Sequence, residues 1–340
     1  MSRRLPYLFL FASGCAALIY QVAWVRVLTL DLGNTVYAVS TVLTVFMGGL
    51  ALGAWLFGRL ADRSDRPLRL YAVIELSLAV YAAVFAWGQP WLHGLLASAL
   101  TGREMSFEAA TALKFVAATV VLIVPATLMG GTLPVLAKHV TLSLDSCGRR
   151  LGLLYGFNTA GAVVGCLAEA YVLILALGVT GSILLAAAMN ALVGVGALLL
   201  AAGKGVSGGE SALNGPAAKT QRSSKAGSAP DPAVSRLSLR FLHLAAFSSG
   251  FIVLASEVLW TRLLINFVTG NVLVFATILG AFLTGTALAS LIVATRIDRL
   301  KNLDGVLAFS LVLSSFVLAL SMLGQGLVGT MFDEIHRSLD

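Results

Sequence analysis

Residues 179 to 202 read VTGSILLAAAMNALVGVGALLLAA, a run without one charged side chain. A helix of ~20 apolar residues crosses a hydrocarbon layer about 30 Å thick. Inside such a layer the backbone must satisfy its own hydrogen bonds, so a chain with several runs of this kind has few folds open to it. Hydropathy marks nine spans: roughly 7–30, 36–58, 69–90, 111–138, 151–176, 179–202, 241–266, 271–295 and 304–328. The whole chain is 58% hydrophobic and 11% charged, with mean hydropathy +0.92, whereas soluble domains carry roughly 25% charged residues. The expectation is an all-α, polytopic transmembrane bundle whose main partner is the lipid bilayer.

Between the sixth and seventh spans, residues 203–238 are rich in Gly, Ser, Ala and Pro. Such a composition buries no core and reads as a flexible cytoplasmic linker. It divides the chain into a first six-helix bundle, 1–202, and a partial second bundle of three helices, 239–340.

A formal net charge of +7 raises the question of nucleic acid. The basic residues sit in short loops between apolar spans, not along one stripe, which excludes that reading. They fall at Arg3 and Arg4, at Arg59, Arg63, Arg66 and Arg69, at Lys138, Arg149 and Arg150, around the linker, and at Arg296, Arg299 and Lys301. With nine spans all these loops share one side, and the positive-inside rule makes it cytoplasmic. An inner-membrane protein with its N-terminus inside is expected. The apolar run continues past Cys15, so cleavage of a signal peptide is not expected. Cys15, Cys147 and Cys166 are too scattered to form a metal site, and neither a metal nor a cofactor is expected.

The segments SGCAALIYQVAWVR (13–26) and SGFIVLASEVLWTR (249–262) repeat at an offset of 236. Aligned without a gap over 13–63 and 249–299, the copies share sixteen identities in 51 positions, including Ser13, Gly14, Trp24, Arg26, Phe46, Gly49, Asp62 and Arg63. Matching Trp, Arg and Asp-Arg at a fixed offset indicates a duplicated bundle, as in transporters built from parallel repeats. The second copy ends after its third helix.

The loop GRLADRSDRP (58–67) resembles the Gly-x-Leu-Ala-Asp-Arg motif of the major facilitator superfamily, with Asp65 where that motif usually has Gly. The resemblance implies a conformational latch carried by Arg59, Asp62 and Arg63, with Asp298 and Arg299 in the second copy. The simpler reading is a tight loop whose arginines only set topology. FMGGLALGAWLFGRLADR, PLRLYAVIEL, VPATLMGGTLPVLAKH and GLLYGFNTAGAVVGCLAEAYVLILALG extend the match. Together they resemble the membrane region of the fused major-facilitator and spermidine-synthase proteins. That resemblance implies a bundle handling polyamines or related small metabolites, or a membrane module serving an aminopropyltransferase domain or subunit. No stretch after residue 240 offers a nucleoside-binding sheet or paired catalytic aspartates, so no catalytic residue is assigned. A purely structural membrane subunit is the third reading.

Candidate binding residues are the polar groups inside apolar spans. Gln21 and Trp24 are three residues apart and share a helix face. The second copy places Glu257 and Trp260 at the same positions. Glu75 and Glu169 sit inside the third and fifth spans, with Asn158 and Asn190 as available partners. Ionisable groups in a membrane face partners or a cavity, so Gln21, Trp24, Glu75, Asn158, Glu169, Glu257 and Trp260 form the expected substrate-binding set. The alternative is interhelical hydrogen bonding that only holds the bundle together. Gly49 with Gly53, and Gly161 with Gly165, have the spacing that permits close helix crossing. Pro125 and Pro134 flank Gly130 and Gly131 in the fourth span, where a broken helix is one reading and a packing kink the other.

Overall fold

The computed structural model describes residues 4–32, 36–100, 106–141, 147–206, 239–265, 271–297, 302–324 and 330. The elements are α1 (Leu5–Leu32), α2 (Val36–Asp62), α3 (Pro67–Leu100), α4 (Phe107–Val140), α5 (Cys147–Ala168), a π-helical turn (Glu169–Leu173), α6 (Ile174–Val206), α7 (Leu239–Ile265), α8 (Asn271–Arg296) and α9 (Leu303–Leu323). Eight helical runs are long and apolar enough to cross a membrane, compatible with a multi-pass membrane protein. The longest, Cys147–Ala202, contains 56 residues. As one helix it would measure roughly 84 Å, far beyond one crossing. It is broken at Gly178, where φ is 67°, a conformation open to glycine without Cβ strain. The break falls inside α6: residues 174–177 continue α5 and its π-turn, and the second crossing starts after Gly178, as the sequence boundary near 178 anticipates.

Two compact units result, comprising Met1–Gly215 with Gly270–Asp298, and Pro216–Thr269 with Arg299–Asp340. The first therefore contains α1–α6 together with α8, an arrangement that follows packing, not chain order. The second contains α7 and α9. Residues 207–238, which carry most of the expected linker, and 331–340 lie outside the described residues.

In the first unit α1 touches α2, α3, α4, α5, α6 and α8. Its sequence is apolar on every side, as a helix surrounded by others requires. Leu10, Ala16, Tyr20, Val22, Ala23 and Val25 are all fully buried. α1 lies against α5 because glycine removes the intervening side chains. A Cβ on Gly161 would stand 1.9 Å from Phe11 O, and one on Gly165 would stand 2.1 Å from Cys15 O. Both contacts advance by four residues, so α1 and α5 run parallel. α2 meets α4 in the same way: a Cβ on Gly53 would lie 1.9 Å from Thr127 O, and one on Gly130 would lie 2.1 Å from Leu50 O. α4 runs unbroken through Pro125 and Pro134, so the fourth span is not a pair of half-helices.

α8 is held on α5 by a further glycine row. Gly148, Gly152 and Gly156 face Ile297, Ala294 and Leu291 in antiparallel order. Ser290 Oγ donates to Gly152 O at 2.9 Å, and Cys166 Sγ donates to Ala276 O at 3.4 Å.

These approaches leave no room for a methyl group. Gly161→Ala and Gly165→Ala are expected to destabilise the unit by about 1–3 kcal/mol each, the cost of overpacking. Gly48→Ala, where a Cβ meets nothing within 4 Å, should leave the thermal midpoint in detergent unchanged or slightly higher.

Candidate functional site

The polar interior of the first unit is organised along α1. Phe9 stacks with Tyr71 at 6.5 Å, and Trp24 meets Phe85 edge-on at 5.8 Å. α3 therefore runs parallel to α1, with Glu75 near the level of Ser13. Glu75 is fully buried. Asn190 of α6 donates from Nδ2 to Glu75 Oε2 at 2.5 Å, and its Oδ1 accepts from Tyr20 OH at 3.2 Å. One asparagine thus joins α1, α3 and α6. The Ser13 and Tyr71 hydroxyls adjoin the same carboxyl, although neither Glu75 Oε1 nor Tyr71 OH completes a hydrogen bond.

Glu169 lies further along. The α1–α5 contacts at 11/161 and 15/165 continue by another four residues to 19/169. This puts Glu169 level with the Ile19–Val22 turn, roughly 10 Å from Glu75 along the axis at 1.5 Å per residue. Glu169 opens the π-turn and is fully buried, and neither of its carboxyl oxygens has a hydrogen-bond partner. The Ser182 hydroxyl of α6 adjoins it but donates instead to Gly178 O at 2.9 Å. Gln21 is buried with Nε2 unpartnered, and its position at the level of the π-turn brings it to the same depth. Trp24 is buried and stacked on Tyr20 at 5.3 Å, with Nε1 also unpartnered.

The expected binding set is thus divided. Gln21, Trp24, Glu75 and Glu169 belong to the interior of the first unit. Asn158 is half-buried and serves the α1–α5 contact: its carbonyl oxygen lies 2.1 Å from where a Cβ on Gly14 would stand. Glu75 takes Asn190 as its partner instead. Glu257 and Trp260 are on α7 of the second unit, where the Glu257 carbonyl accepts from Thr261 Oγ1 at 2.7 Å. Sequence reasoning missed Ser13, Tyr20, Tyr71 and Ser182. A buried tyrosine needs a partner for its hydroxyl, and the Tyr71–Glu75 spacing of four residues was the available signal for that pair.

Of the expected latch, Asp62 pairs with Lys138 of α4 at 3.8 Å, and both side chains are exposed. Pairs of this kind contribute at most about 1 kcal/mol. Arg59 lies 4.2 Å over the Trp55 ring one turn earlier on α2. Arg63 is exposed. Asp298 and Arg299 lie outside the described residues. Arg150 Nη1 donates to Val140 O at 2.8 Å, capping the end of α4. An open groove between α3 and α4, lined by Val73, Val80, Val84 and Val124 among others, is apolar and contains no carboxyl.

Fold and interior together define a multi-pass helical bundle with carboxyl groups enclosed among its apolar helices. No protein-family profile, curated protein or solved structure matches the chain.

The asparagine bridge predicts a measurable coupling. Asn190→Leu is expected to cost about 1–2 kcal/mol in unfolding free energy, the size of an interhelical hydrogen bond in a membrane. In a Glu75→Leu background the same change should cost much less, and a double-mutant cycle in denaturant measures the difference.

Proposed function

We propose that the chain is a transporter-like membrane unit that moves a small cationic metabolite, with polyamines the first candidates. The observation that carries this reading is the enclosure of Glu75 and Glu169 at two levels of one helical interior. Carboxyls in apolar surroundings cost a few kcal/mol each when charged and mark substrate or ion pathways. The internal repeat supports the reading, because parallel repeats are a common construction of transporters. Gln21 and Trp24 are buried beside this interior, where the Gln21 amide oxygen can accept from an ammonium group and the Trp24 ring can face one, with Glu257 and Trp260 as their counterparts in the second repeat. The Asp62–Lys138 contact, with Arg59 and Arg63 close by in sequence, is the proposed latch.

Uptake into proteoliposomes loaded with buffer alone is the direct test. Labelled putrescine or spermidine should enter, and Glu75→Gln and Glu169→Gln should each reduce the initial rate by at least about tenfold, corresponding to ~1.4 kcal/mol. No uptake above protein-free vesicles, or unchanged rates in both variants, would sink the proposal.

We also assign the protein to the inner membrane with a cytoplasmic N-terminus, on the distribution of basic loops. Alkaline-phosphatase fusions should be inactive after residue 66 and active after residue 104. The reverse pattern would invert the topology.

A further inference from the structure

We propose that Glu169 binds one small monovalent cation, with the oxygens of the Ser182 hydroxyl and the Gln21 side-chain amide completing the site. The proposal deepens the transport reading by naming the site of a coupling ion. The carboxyl is fully buried and both oxygens lack partners. A buried carboxylate without a partner is among the most expensive groups a protein can hold, so the group is either held neutral by a proton or accompanied by another cation.

Among the described residues no basic side chain lies beside it. α6 has no Asp, Glu, Lys, Arg or His from Ile174 to Gly203, and α8 has none from Asn271 to Thr295. On α5, Arg149 and Arg150 are some twenty residues away, about 30 Å along the axis. On α1 the facing stretch offers the thiol of Cys15, the phenol of Tyr20 and, a turn further on, Arg26, whose side chain is exposed. Cys166 and Tyr171, on the same helical run, are engaged with Ala276 O and Thr277 Oγ1.

The neighbours also limit the size of the ion. Ile19, Val22, Ile183 and Ala186, on the two helices that flank the π-turn, are buried at 2% exposure or less. Such close packing suits a proton or a bare alkali ion better than an organic amine with its chain. Glu75 differs: Asn190 occupies one of its oxygens, and Tyr71 and Ser13 adjoin the group. The π-turn adds independent support, since insertions of this type inside α-helices are frequent at functional sites.

The test is ion-linked stability of the full chain in nanodiscs, with no transported solute present. Thermal midpoints are read in sodium, potassium or choline salts, and across a pH series. A ligand that binds only the folded state raises the midpoint with its concentration. The wild type should respond to sodium, to potassium or to protons, and whichever acts identifies the ion. Glu169→Gln should lose that response. Ser182→Ala, which leaves the carboxyl in place, should need roughly tenfold more of the ion for the half-maximal shift. A wild type indifferent to all three, or a Glu169→Gln variant with the wild-type response, would overturn the proposal. Should Glu169→Gln fail to fold, an unaltered half-maximal concentration in Ser182→Ala would overturn it. Failed uptake with an intact ion response removes the transport reading alone. Intact uptake without an ion response removes only this site.

Discussion

The first unit depends on the absence of side chains at two positions. Gly161 and Gly165 let α5 come so close to α1 that the carbonyl oxygens of Phe11 and Cys15 occupy the space a Cβ would need. In a membrane no hydrophobic effect drives helices together, so this close van der Waals approach carries much of the association. It also fixes the register. With 11 against 161 and 15 against 165, the next turn brings Glu169 against α1, and the turn before brings Tyr7 to Phe157. The position of the buried carboxyl is a consequence of the glycine spacing.

The polar side chains of α1 then reach helices that the glycines do not touch. Tyr20 extends to α6 and meets Asn190, which passes the connection to Glu75 on α3. Stacking of Tyr20 on Trp24, and Trp24 against Phe85, carries the α1–α3 contact one turn further. Each bond here is worth only about 1 kcal/mol, because helices separated within a membrane also find partners for their polar groups. The arrangement gains its importance from enclosure. Glu75 and Tyr71 each have a buried atom that lacks a partner.

The helical character, most element boundaries and the packing role of the Gly-x-x-x-Gly pairs were legible in the sequence, because uncharged runs and small-residue spacing are local signals. Inclusion of α8 with α1–α6 was not. The glycines that hold it, Gly148, Gly152 and Gly156, read as ordinary members of an apolar span, and their partners lie more than 130 residues away. The candidate acids were legible for the opposite reason, since a Glu inside an apolar run is conspicuous. Which amide served Glu75 was not. Asn158 and Asn190 are equally plausible by composition, and only the depth set by α1 separates them. Gly14 draws Asn158 into a backbone contact, and Tyr20 draws Asn190 inward.

The π-turn explains how α5 serves two neighbours that a regular helix would serve less well. Cys166 and Tyr171 both reach α8, at Ala276 and Thr277. A separation of five residues does not fall on one face of an α-helix, where neighbours are three or four apart. The Ile174 N–H donates to Glu169 O, a five-residue step, and this wider turn lets Tyr171 follow Cys166 toward α8. Glu169 meanwhile stays on the inner side. Restoring a regular helix by removing one residue of the turn would rotate everything after it by about 100° relative to what precedes it. Either Tyr171 would leave Thr277 or the carboxyl would leave its enclosure. The insertion therefore ties the α5–α8 contact and the enclosure of Glu169 to the same turn of helix.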